Sequence, residues 1–421
     1  MMSEPVSRRA ALKLGAIGLV TAKLSGCADE QPRPAANLPQ FERPVGLGDE
    51  AWAPVRAQFL LDPGVAYMNN ASLGMPPRQV VDAVAAGYAA ISREPLHGKH
   101  DLQRQVGDSV LPRLAGLFGV SPEELSLTRN ATEALHLQTI GARLPPGAEV
   151  LITSQEHPAG SRPWRFREVR DGLRVTEVFV PSPLPPADEI VARLESAISS
   201  DTRAISFCHV TRGGHLYPVA ELCGMARERG LMSLVDGAQA VGQFKVDLSE
   251  LGCDAYSASL HKWMLGPVGT GFLYVRESSR TDVVTAFAPD ATDDAPQHAP
   301  PGTADFPVRA AIGAALDFIG TLGLDQIEAR CRFLSDHLKA QLAELSDVRV
   351  LSGEIDQSAP GSTIFEKSGL DAMESVSLME RLAAVHLDEH QRDGHNAIRV
   401  STHVYNTTSE IDRLVQALRD L

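Results

Sequence analysis

Apolar residues in the middle of the chain fall into short runs that alternate with helical patterns. Between two of these runs, Ile190, Leu194 and Ile198 recur at helical spacing. Strands that alternate with helices are typical of βαβ units. The sequence therefore predicts an α/β fold with a mostly parallel sheet covered on both faces. The candidate strands are 150–154, 175–180, 203–210, 232–236 and 271–275.

The pattern changes after about Pro307, where longer amphipathic helices replace the short alternating elements. A strand-like segment at 397–405 separates two apolar stripes at helical spacing. We predict a large domain over 67–306 and a smaller α+β domain built from 49–66 and 307–421. The stripes consist of Ile327, Cys331, Leu334, Leu338, Leu342 and Leu345, and of Ile411, Leu414, Val415 and Leu418.

The N-terminal segment has the pattern of an export signal. Arg8 and Arg9 precede a short apolar run that ends in Leu-Ser-Gly-Cys. Paired arginines before such a run resemble a twin-arginine signal, and the run is too short to span a bilayer. Its end resembles a lipobox in which Cys27 would be lipidated; simple cleavage nearby and a frayed amphipathic helix are the alternatives. We expect a signal at 1–27, a flexible linker at 28–48, and a periplasmic protein exported by the twin-arginine translocase.

The composition is that of an ordinary globular protein, with 43% hydrophobic and 22% charged residues among 421. A net charge of −14 argues against a nucleic-acid or anionic-membrane surface. The cysteines other than Cys27 form neither a CxxC motif nor a metal-binding spacing. We predict no metal site and interpret these cysteines as buried thiols, although an oxidising periplasm would permit a disulfide.

The segment YSASLHKWMLGPVGTGFLYV places Lys262 in an otherwise apolar and glycine-rich run. A buried lysine is costly unless it is paired or neutral. Because a desolvated lysine loses its proton more easily, enzymes use it as a nucleophile towards carbonyl groups. The alternative is a lysine at a strand end that reaches solvent. The surrounding motifs decide between the two.

A helix start and a strand end supply two parts of a binding site. In LTRNATEAL, Asn130 can cap a helix and Glu133 completes a capping-box-like pair. The small Ala131 and the hydroxylated Thr132 leave backbone N–H groups open to an anion. In LMSLVDGAQ, Asp236 ends a hydrophobic strand, where a carboxylate can pair with a protonated pyridine nitrogen. A turn-forming aspartate is the alternative.

Three further polar side chains extend this set. Ser259 and His261 add donors for a phosphate, and the following GPVGTG lets the backbone approach closely. Arg399 suits bidentate capture of a carboxylate, although a surface arginine is the alternative. Together these features indicate a site that holds a phosphorylated, ring-nitrogen aldehyde against a lysine.

These motifs resemble those of pyridoxal-phosphate (PLP) enzymes of fold type I. VDGAQAVG and the segment from DLSELG to GTGFLYV are similar to the lysine signature of class V aminotransferases. YMNNASLG, LTRNATEAL, QEHPAG and RVSTHVYNT resemble the isopenicillin N epimerase-like branch. The resemblance extends from about Tyr67 to the C-terminus and implies a fold type I PLP-dependent transferase with a smaller α+β C-terminal domain.

The resemblance also implies which residues hold the ring of the cofactor. Lys262 would form a Schiff base with PLP and move the Cα proton of the substrate. Asp236 would pair with the ring nitrogen, and Gln239 would lie near the ring hydroxyl. His157 would stack on the ring face, and a polar loop histidine is the alternative.

For the phosphate, the resemblance implies the backbone of Ala131 and Thr132. The side chains of Thr132, Ser259 and His261 would complete this group. Thr303 would reach the phosphate of a neighbouring subunit, so a homodimer with shared sites is expected.

For the substrate, the resemblance implies that Arg399 binds the α-carboxylate and that Asn70 lines the pocket. The chain departs from the family pattern at TRGGHLY, where Arg212 takes a position that often holds a neutral side chain. Arg212 could bind a second substrate carboxylate or pair with an acidic side chain.

The expected activity is that of a PLP enzyme acting at the Cα of an amino acid or peptide-borne amine, of the aminotransferase or epimerase type. A cysteine desulfurase-like or other β-lyase activity is the alternative. A desulfurase needs a mobile cysteine, and the segment 352–369 contains none. A non-catalytic periplasmic lipoprotein that binds a small ligand is an alternative of another class.

Overall fold

A computed structural model describes residues 41–287, 298, 302–353 and 357–421. The predicted signal and most of the predicted linker lie outside the described residues. The helices are α1 (Asp49–Arg56), α2 (Arg78–Arg93), α3 (Pro95–Gln105), α4 (Leu111–Leu117), α5 (Ala131–Gly141), α6 (Pro158–Asp171), α7 (Ala187–Ala197), α8 (Val219–Glu228), α9 (Leu248–Leu251), α10 (Phe306–Leu322), α11 (Leu324–Leu342), α12 (Ala372–Ala383) and α13 (Thr408–Arg419). The strands are β1 (Ala66–Tyr67), β2 (Leu125–Thr128), β3 (Glu149–Thr153), β4 (Arg174–Val178), β5 (Thr202–Cys208), β6 (Met232–Asp236), β7 (Ala255–Ser259), β8 (Gly271–Val275), β9 (Val348–Val350), β10 (Ser362–Lys367), β11 (Val385–His386), β12 (Asp388–Arg392) and β13 (His395–Ser401).

The centre of the chain forms a seven-stranded sheet in the order β2-β8-β7-β6-β5-β3-β4. The strands from β7 to β4 in this order are parallel, whereas β8 runs antiparallel to both of its neighbours. Every residue of β3, β7 and β8 is buried, as expected for strands covered on both faces. The predicted α/β fold with a mostly parallel sheet is confirmed.

The order of the strands opens a crevice at one edge of this sheet. From β3 the chain continues to β4 on one side, and β5 then pairs with β3 on the other side. Open parallel sheets bind ligands outside the carboxyl ends of the strands at such a reversal. Here β3, β5 and β6 end at Thr153, Cys208 and Asp236. The loops that follow these three strands therefore meet at the same edge.

A second, four-stranded antiparallel sheet has the order β12-β13-β10-β9. The apolar stripes predicted on the two long C-terminal helices, α11 and α13, supply seven of the sixteen buried residues in its core. Ile327 and Cys331, at the start of the first stripe, belong instead to the core of the central sheet. The stripe residues buried beside the second sheet are Leu334, Leu338, Leu342, Ile411, Leu414, Val415 and Leu418.

The predicted domain boundary at residue 307 stays a prediction. Helix α10 packs against α2 and contributes Ala310 and Phe318 to the main hydrophobic core. Trp52 and Val55 of α1 belong to the same core. The segments 49–66 and 307–421 therefore share apolar contacts with the central sheet as well as building the second one.

The described cysteines are buried and form no disulfide with one another, which confirms that they are buried thiols. Within the described ranges, no group of three His, Cys, Asp or Glu side chains could hold a metal ion. No single helix in this part of the chain is long and apolar enough to cross a membrane; α10 and α11 pass that test only together, as a pair bent by 75°.

The core of the small sheet allows a matched test of burial. Leu338 is 0% exposed, whereas Leu382 on α12 is 63% exposed. We expect Leu338→Ala to lower the free energy of unfolding by about 2–5 kcal/mol, because it leaves a cavity among packed side chains. Leu382→Ala should change it by less than about 0.5 kcal/mol. Urea denaturation measures both, and equal effects would contradict the assignment of α11 to this core.

Candidate active site

A cavity of about 410 Å³ opens at the carboxyl ends of β3, β5 and β6. All of the predicted cofactor residues except Thr303 line it, and so do the two predicted substrate arginines, Arg212 and Arg399. Residues from the loops after five different strands and from the start of α5 thus meet in one space. The sequence motifs predicted that these residues share a site, and the fold places them in the same cavity.

Lys262 follows β7 and lies partly buried in the wall of the cavity. None of the described residues makes a hydrogen bond or ion pair with its Nζ. Its pKa is lowered from 10.5 to about 8, chiefly because burial disfavours the charged ammonium. The positive charge of Arg399 lowers the pKa further, and the carboxylate of Asp236 opposes both effects. The amine is therefore unpaired and easily deprotonated.

Asp236 ends β6 at the base of the cavity and is 6% exposed. The backbone N–H of Ala238 donates to its Oδ1 at 2.9 Å, and no described residue donates to its Oδ2. Burial raises the pKa of this carboxyl, whereas the Ala238 hydrogen bond and the charge of Lys262 oppose the rise. A buried carboxylate oxygen without a donor is suited to a protonated ring nitrogen.

His157 caps α6, and its Nδ1 accepts a hydrogen bond from the backbone N–H of Ala159 at 3.1 Å. Desolvation, followed by the positive charges of Lys262 and Arg212, lowers its pKa to about 4. The imidazole is therefore neutral at pH 7. A neutral, flat ring in the cavity wall can lie against an aromatic ligand without the cost of a buried charge.

The start of α5 forms a cradle for an anion. The Oδ1 of Asn130 accepts a hydrogen bond from Glu133 N–H at 2.8 Å, which confirms the predicted cap. The backbone N–H of Ala131 donates to Ser259 Oγ at 2.9 Å, so the Ser259 hydroxyl hydrogen is free to donate elsewhere. A Cβ on Gly271 would lie 2.8 Å from the backbone of Asn130, so only glycine lets β8 approach the helix start this closely.

His261 lies at the other side of this cradle. Its Nδ1 donates to the carbonyl oxygen of Thr270 at 3.0 Å, and desolvation lowers its pKa. The remaining nitrogen must therefore be protonated before it can donate to a phosphate, and a phosphate dianion beside it would itself favour that protonation.

Gln239 is held at both ends of its amide group. Its Nε2 donates to the carbonyl oxygen of Ala71 at 2.9 Å, and its Oε1 accepts from Trp263 Nε1 at 2.8 Å. Trp263 is completely buried and stacks on His403 with ring centroids 5.6 Å apart. The tryptophan that follows the lysine thus positions Gln239, a role that the sequence did not reveal.

The two arginines are already paired with acidic side chains. Arg399, 3% exposed, forms an ion pair with Asp388, and its Nη1 donates to the carbonyl oxygen of Arg212 at 3.3 Å. Arg212 forms an ion pair with Glu389 at 2.5 Å, so of its two predicted alternatives the structure shows the acidic partner. Burial lowers the pKa of Arg399 to about 10, and Asp388 opposes this shift.

Two of the predicted residues do not reach the cavity. Asn70 is completely buried, and its Oδ1 accepts from the hydroxyl of Tyr405 at 2.8 Å; its neighbours Ala71 and Ser72 line the cavity instead. Thr303 is exposed and does not line the cavity, and its expected contact with a second subunit stays a prediction. Cys27 lies outside the described residues.

Glu156 is a buried acid beside the site that the sequence motifs did not predict. Its Oε1 accepts from Thr153 Oγ1 at 2.7 Å and from the backbone N–H of Cys208 at 3.1 Å. Burial, with a smaller contribution from the charge of Asp236, raises its pKa to about 8. A Cβ on Gly160 would lie 3.4 Å from Glu156 Oε2 and 3.8 Å from Asp236 Oδ2, so both carboxyl groups face this point of α6. The one signal in the sequence was its position beside His157.

The donor set fits PLP. The N–H of Ala131 is taken by Ser259, so the N–H of Thr132 and the hydroxyl of Ser259 are the donors at the helix start that suit the phosphate. The free oxygen of Asp236 suits the ring nitrogen, and the unpaired amine of Lys262 suits the aldehyde.

A protein-family model described as Aminotransferase class-V matches residues 66–414. The chain belongs to this family. It is 32% identical to the isopenicillin N epimerase of Amycolatopsis lactamdurans, over 88% of this chain and 98% of that protein. It is 33% identical to the isopenicillin N epimerase of Streptomyces clavuligerus, over 87% of this chain and 97% of that protein. It is 29% identical to a cysteine desulfurase of Enterobacter sp. (strain 638), over 84% of this chain and 93% of that protein.

Solved structures share the fold. A variant of C-DES with glycine covalently linked to its PLP cofactor superposes with a TM-score of 0.79, at 23% identity, and covers 87% of this chain and 99% of that one. The cysteine desulfurase of Thermococcus onnurineus NA1 superposes with a TM-score of 0.77, at 22% identity, and covers 90% of this chain and 98% of that one. The chain is thus a class V, PLP-dependent enzyme with the fold of type I PLP-dependent transferases.

The buried position of Glu156 predicts a pH dependence of stability. Its pKa is about 8 in the folded protein and 4.5 ordinarily, so the folded state holds an extra proton between these values. Stability from this group is complete below about pH 4.5 and is lost as the pH rises towards about 8. Glu156→Gln keeps a neutral hydrogen-bonding side chain that does not titrate. The free energy of unfolding of Glu156→Gln should therefore increase relative to that of the wild type between about pH 4.5 and about pH 8, by on the order of 1 kcal/mol or more.

Urea denaturation of both cofactor-free proteins, at intervals from about pH 5 to about pH 8, measures this difference. A difference that stays constant with pH would mean that Glu156 is already ionised in the folded protein, contrary to the assignment.

Proposed function

We propose that this chain is an exported PLP enzyme that breaks a bond at the Cα of an amino acid or aminoacyl compound, of the epimerase or aminotransferase type. The observation that carries this proposal is the unpaired, desolvated amine of Lys262, in one cavity with Asp236 and the helix start of α5. The similarity to two isopenicillin N epimerases over almost their whole length supports the epimerase type.

Pyridoxal phosphate, when bound, supplies an aldehyde that takes up an amine and an electron-poor ring that stabilises negative charge at the Cα. Asp236 would keep that ring electron-poor by holding a proton at its nitrogen. The neutral His157 would lie against the ring without adding charge. The start of α5 and Ser259 would hold the phosphate and so keep the ring beside Lys262.

Lys262 is the group that moves protons. With a pKa of about 8, its Nζ can accept a proton from the substrate Cα near neutral pH and return one. Delivery of a proton to the Cα on the other face would invert the configuration, whereas delivery by Lys262 to the cofactor instead, followed by hydrolysis, would leave the amino group on the cofactor. The first outcome is an epimerisation, and the second is a transamination.

A cysteine desulfurase-like activity has less support from the site. Cys208 lines the cavity, but it is 3% exposed at the end of β5, and burial raises its thiol pKa well above the ordinary value. A fixed, protonated thiol is a poor nucleophile. Cys331 is completely buried in the main core.

Lysine substitution tests the proposed function. At pH 7 roughly one Lys262 in ten is neutral, against fewer than one in about a thousand for an ordinary lysine, so PLP should bind at this side chain and colour the protein yellow. Borohydride reduction followed by peptide mass spectrometry should find the pyridoxyl group on Lys262. In Lys262→Ala the band should be absent and activity should fall by at least about a thousandfold.

The exposed Lys245 provides the matched control, since Lys245→Ala should keep both the band and the activity. A colourless wild-type protein that binds no PLP would favour a non-catalytic binder. Incubation with amino acids and aminoacyl peptides distinguishes the reactions, because deuterium uptake at the Cα without conversion of the cofactor to its amine form indicates epimerisation.

Export rests on the sequence of the first 27 residues. Replacing both Arg8 and Arg9 by lysine removes the paired guanidinium groups but keeps the charge. We expect the variant to accumulate in the cytoplasm, and fractionation of cells that express it measures this. Equal amounts of wild type and variant in the periplasm would exclude the twin-arginine route. Labelling with a radioactive fatty acid, with Cys27→Ser as control, tests lipidation.

A further inference from the structure

The small sheet places an acidic side chain opposite the predicted carboxylate-binding arginine. Asp388 and Arg399 are direct partners in the register of the antiparallel strands β12 and β13. Side chains of such partners project to the same side of a sheet, so the pair is fixed by the backbone. Asp388 forms an ion pair with Arg399 and lines the cavity beside it.

This pair is part of a balanced set of charges. The guanidinium of Arg212 lies 3.5 Å from Asp388 and 2.5 Å from Glu389. The two arginines in the cavity wall are therefore balanced by two carboxylates, that of Asp388 in the wall and that of Glu389, which pairs with Arg212 outside the lining. Arg399 is 3% exposed, and a buried cation requires such a counter-ion when no ligand is present.

Binding of a free substrate carboxylate to this wall of the cavity would be unfavourable. To reach Arg399 it must either displace Asp388 or lie beside it, where two negative charges repel each other. An amide carbonyl carries no charge and needs only one donor. The Nε of Arg399 is buried and has no hydrogen-bond partner among the described residues, so its ion pair with Asp388 leaves one donor of this guanidinium unused.

We propose that Asp388 is a specificity-determining residue that selects substrates whose reacting amino acid has its carboxyl group in amide linkage, as at the N-terminal residue of a peptide. The inference rests on the proposed function and narrows its substrate class. In this arrangement Asp388 keeps the charge of Arg399 balanced while the neutral carbonyl is bound.

The test compares L-alanine with L-alaninamide, which differ only in the charged group. The dissociation constant of each is read from the absorbance of the bound cofactor in wild-type holoenzyme and in Asp388→Asn. The wild type should bind the amide at least as tightly as the acid. In the variant, alanine should bind about tenfold more tightly or better, because Arg399 is released, while alaninamide changes by less than about threefold.

Asp393→Asn is the matched control. Asp393 lies in the turn of the same hairpin and bonds to Gln155 instead of to an arginine, so the same loss of charge should leave the ratio of the two constants unchanged. A ratio in Asp388→Asn that stays within about threefold of the wild type overturns the proposal. If that variant does not fold, the wild type still decides, because a tenfold preference for alanine over the amide contradicts it.

Calorimetry on the cofactor-free protein separates the two proposals. Propionate and propionamide carry no amine, so their binding requires neither PLP nor reaction. Propionate should bind more tightly to Asp388→Asn than to the wild type, and propionamide should not. If the holoenzyme shows no cofactor band but this difference in propionate binding is present, the proposed function fails and the role of Asp388 stands. If the cofactor band is present but the difference is absent, the role of Asp388 fails and the proposed function stands.

Discussion

The free-energy cost of removing the Lys262 ammonium from water governs this site. Burial lowers the pKa of the amine to about 8, and Arg399 adds to the effect. Asp236 alone would restore the charge, so the site is a balance in which desolvation prevails. The balance depends on the fold, because Lys262 follows β7 while Asp236 ends the neighbouring strand β6.

The same constraint explains the neutral groups around the lysine. His157 has a pKa of about 4, so it adds no positive charge, and Glu156 has a pKa of about 8, so the base of the cavity does not hold two full negative charges near pH 7. Each group is kept neutral by burial. The ionised groups that remain are those with a partner or a ligand to hold.

The sequence predicted the features that local patterns specify. The predicted strands coincide with β3 to β6 and β8 to within two residues at each end, because buried parallel strands are short apolar runs with polar boundaries. The helix cap at Asn130 could also be predicted, since such a cap depends on residues only three positions apart. Site residues that follow such strands could be assigned by motif.

The features that depend on register between distant segments could not be predicted. Asp388 meets Arg399 only because β12 and β13 pair with one particular alignment, and a shift by one residue would turn the aspartate to the other face. The position of Asn70 is a similar case, since its neighbours Ala71 and Ser72 line the cavity and its own side chain does not. Glu156 gave no pattern of its own, because its burial arises from packing between the loop after β3 and α6.

The β12–β13 hairpin extends from the small sheet to the loop after β3. Arg392 donates to the backbone oxygens of Gln155 at 2.7 Å and Glu156 at 3.1 Å, and the Gln155 amide donates to Asp393. The hairpin also carries the acidic partners of both arginines. A rotation of the small sheet would therefore pull the loop that holds His157 along with it. The loop that carries His157 and the hairpin that carries the acidic partners of the arginines are thus joined by hydrogen bonds, so a displacement of one would be transmitted to the other.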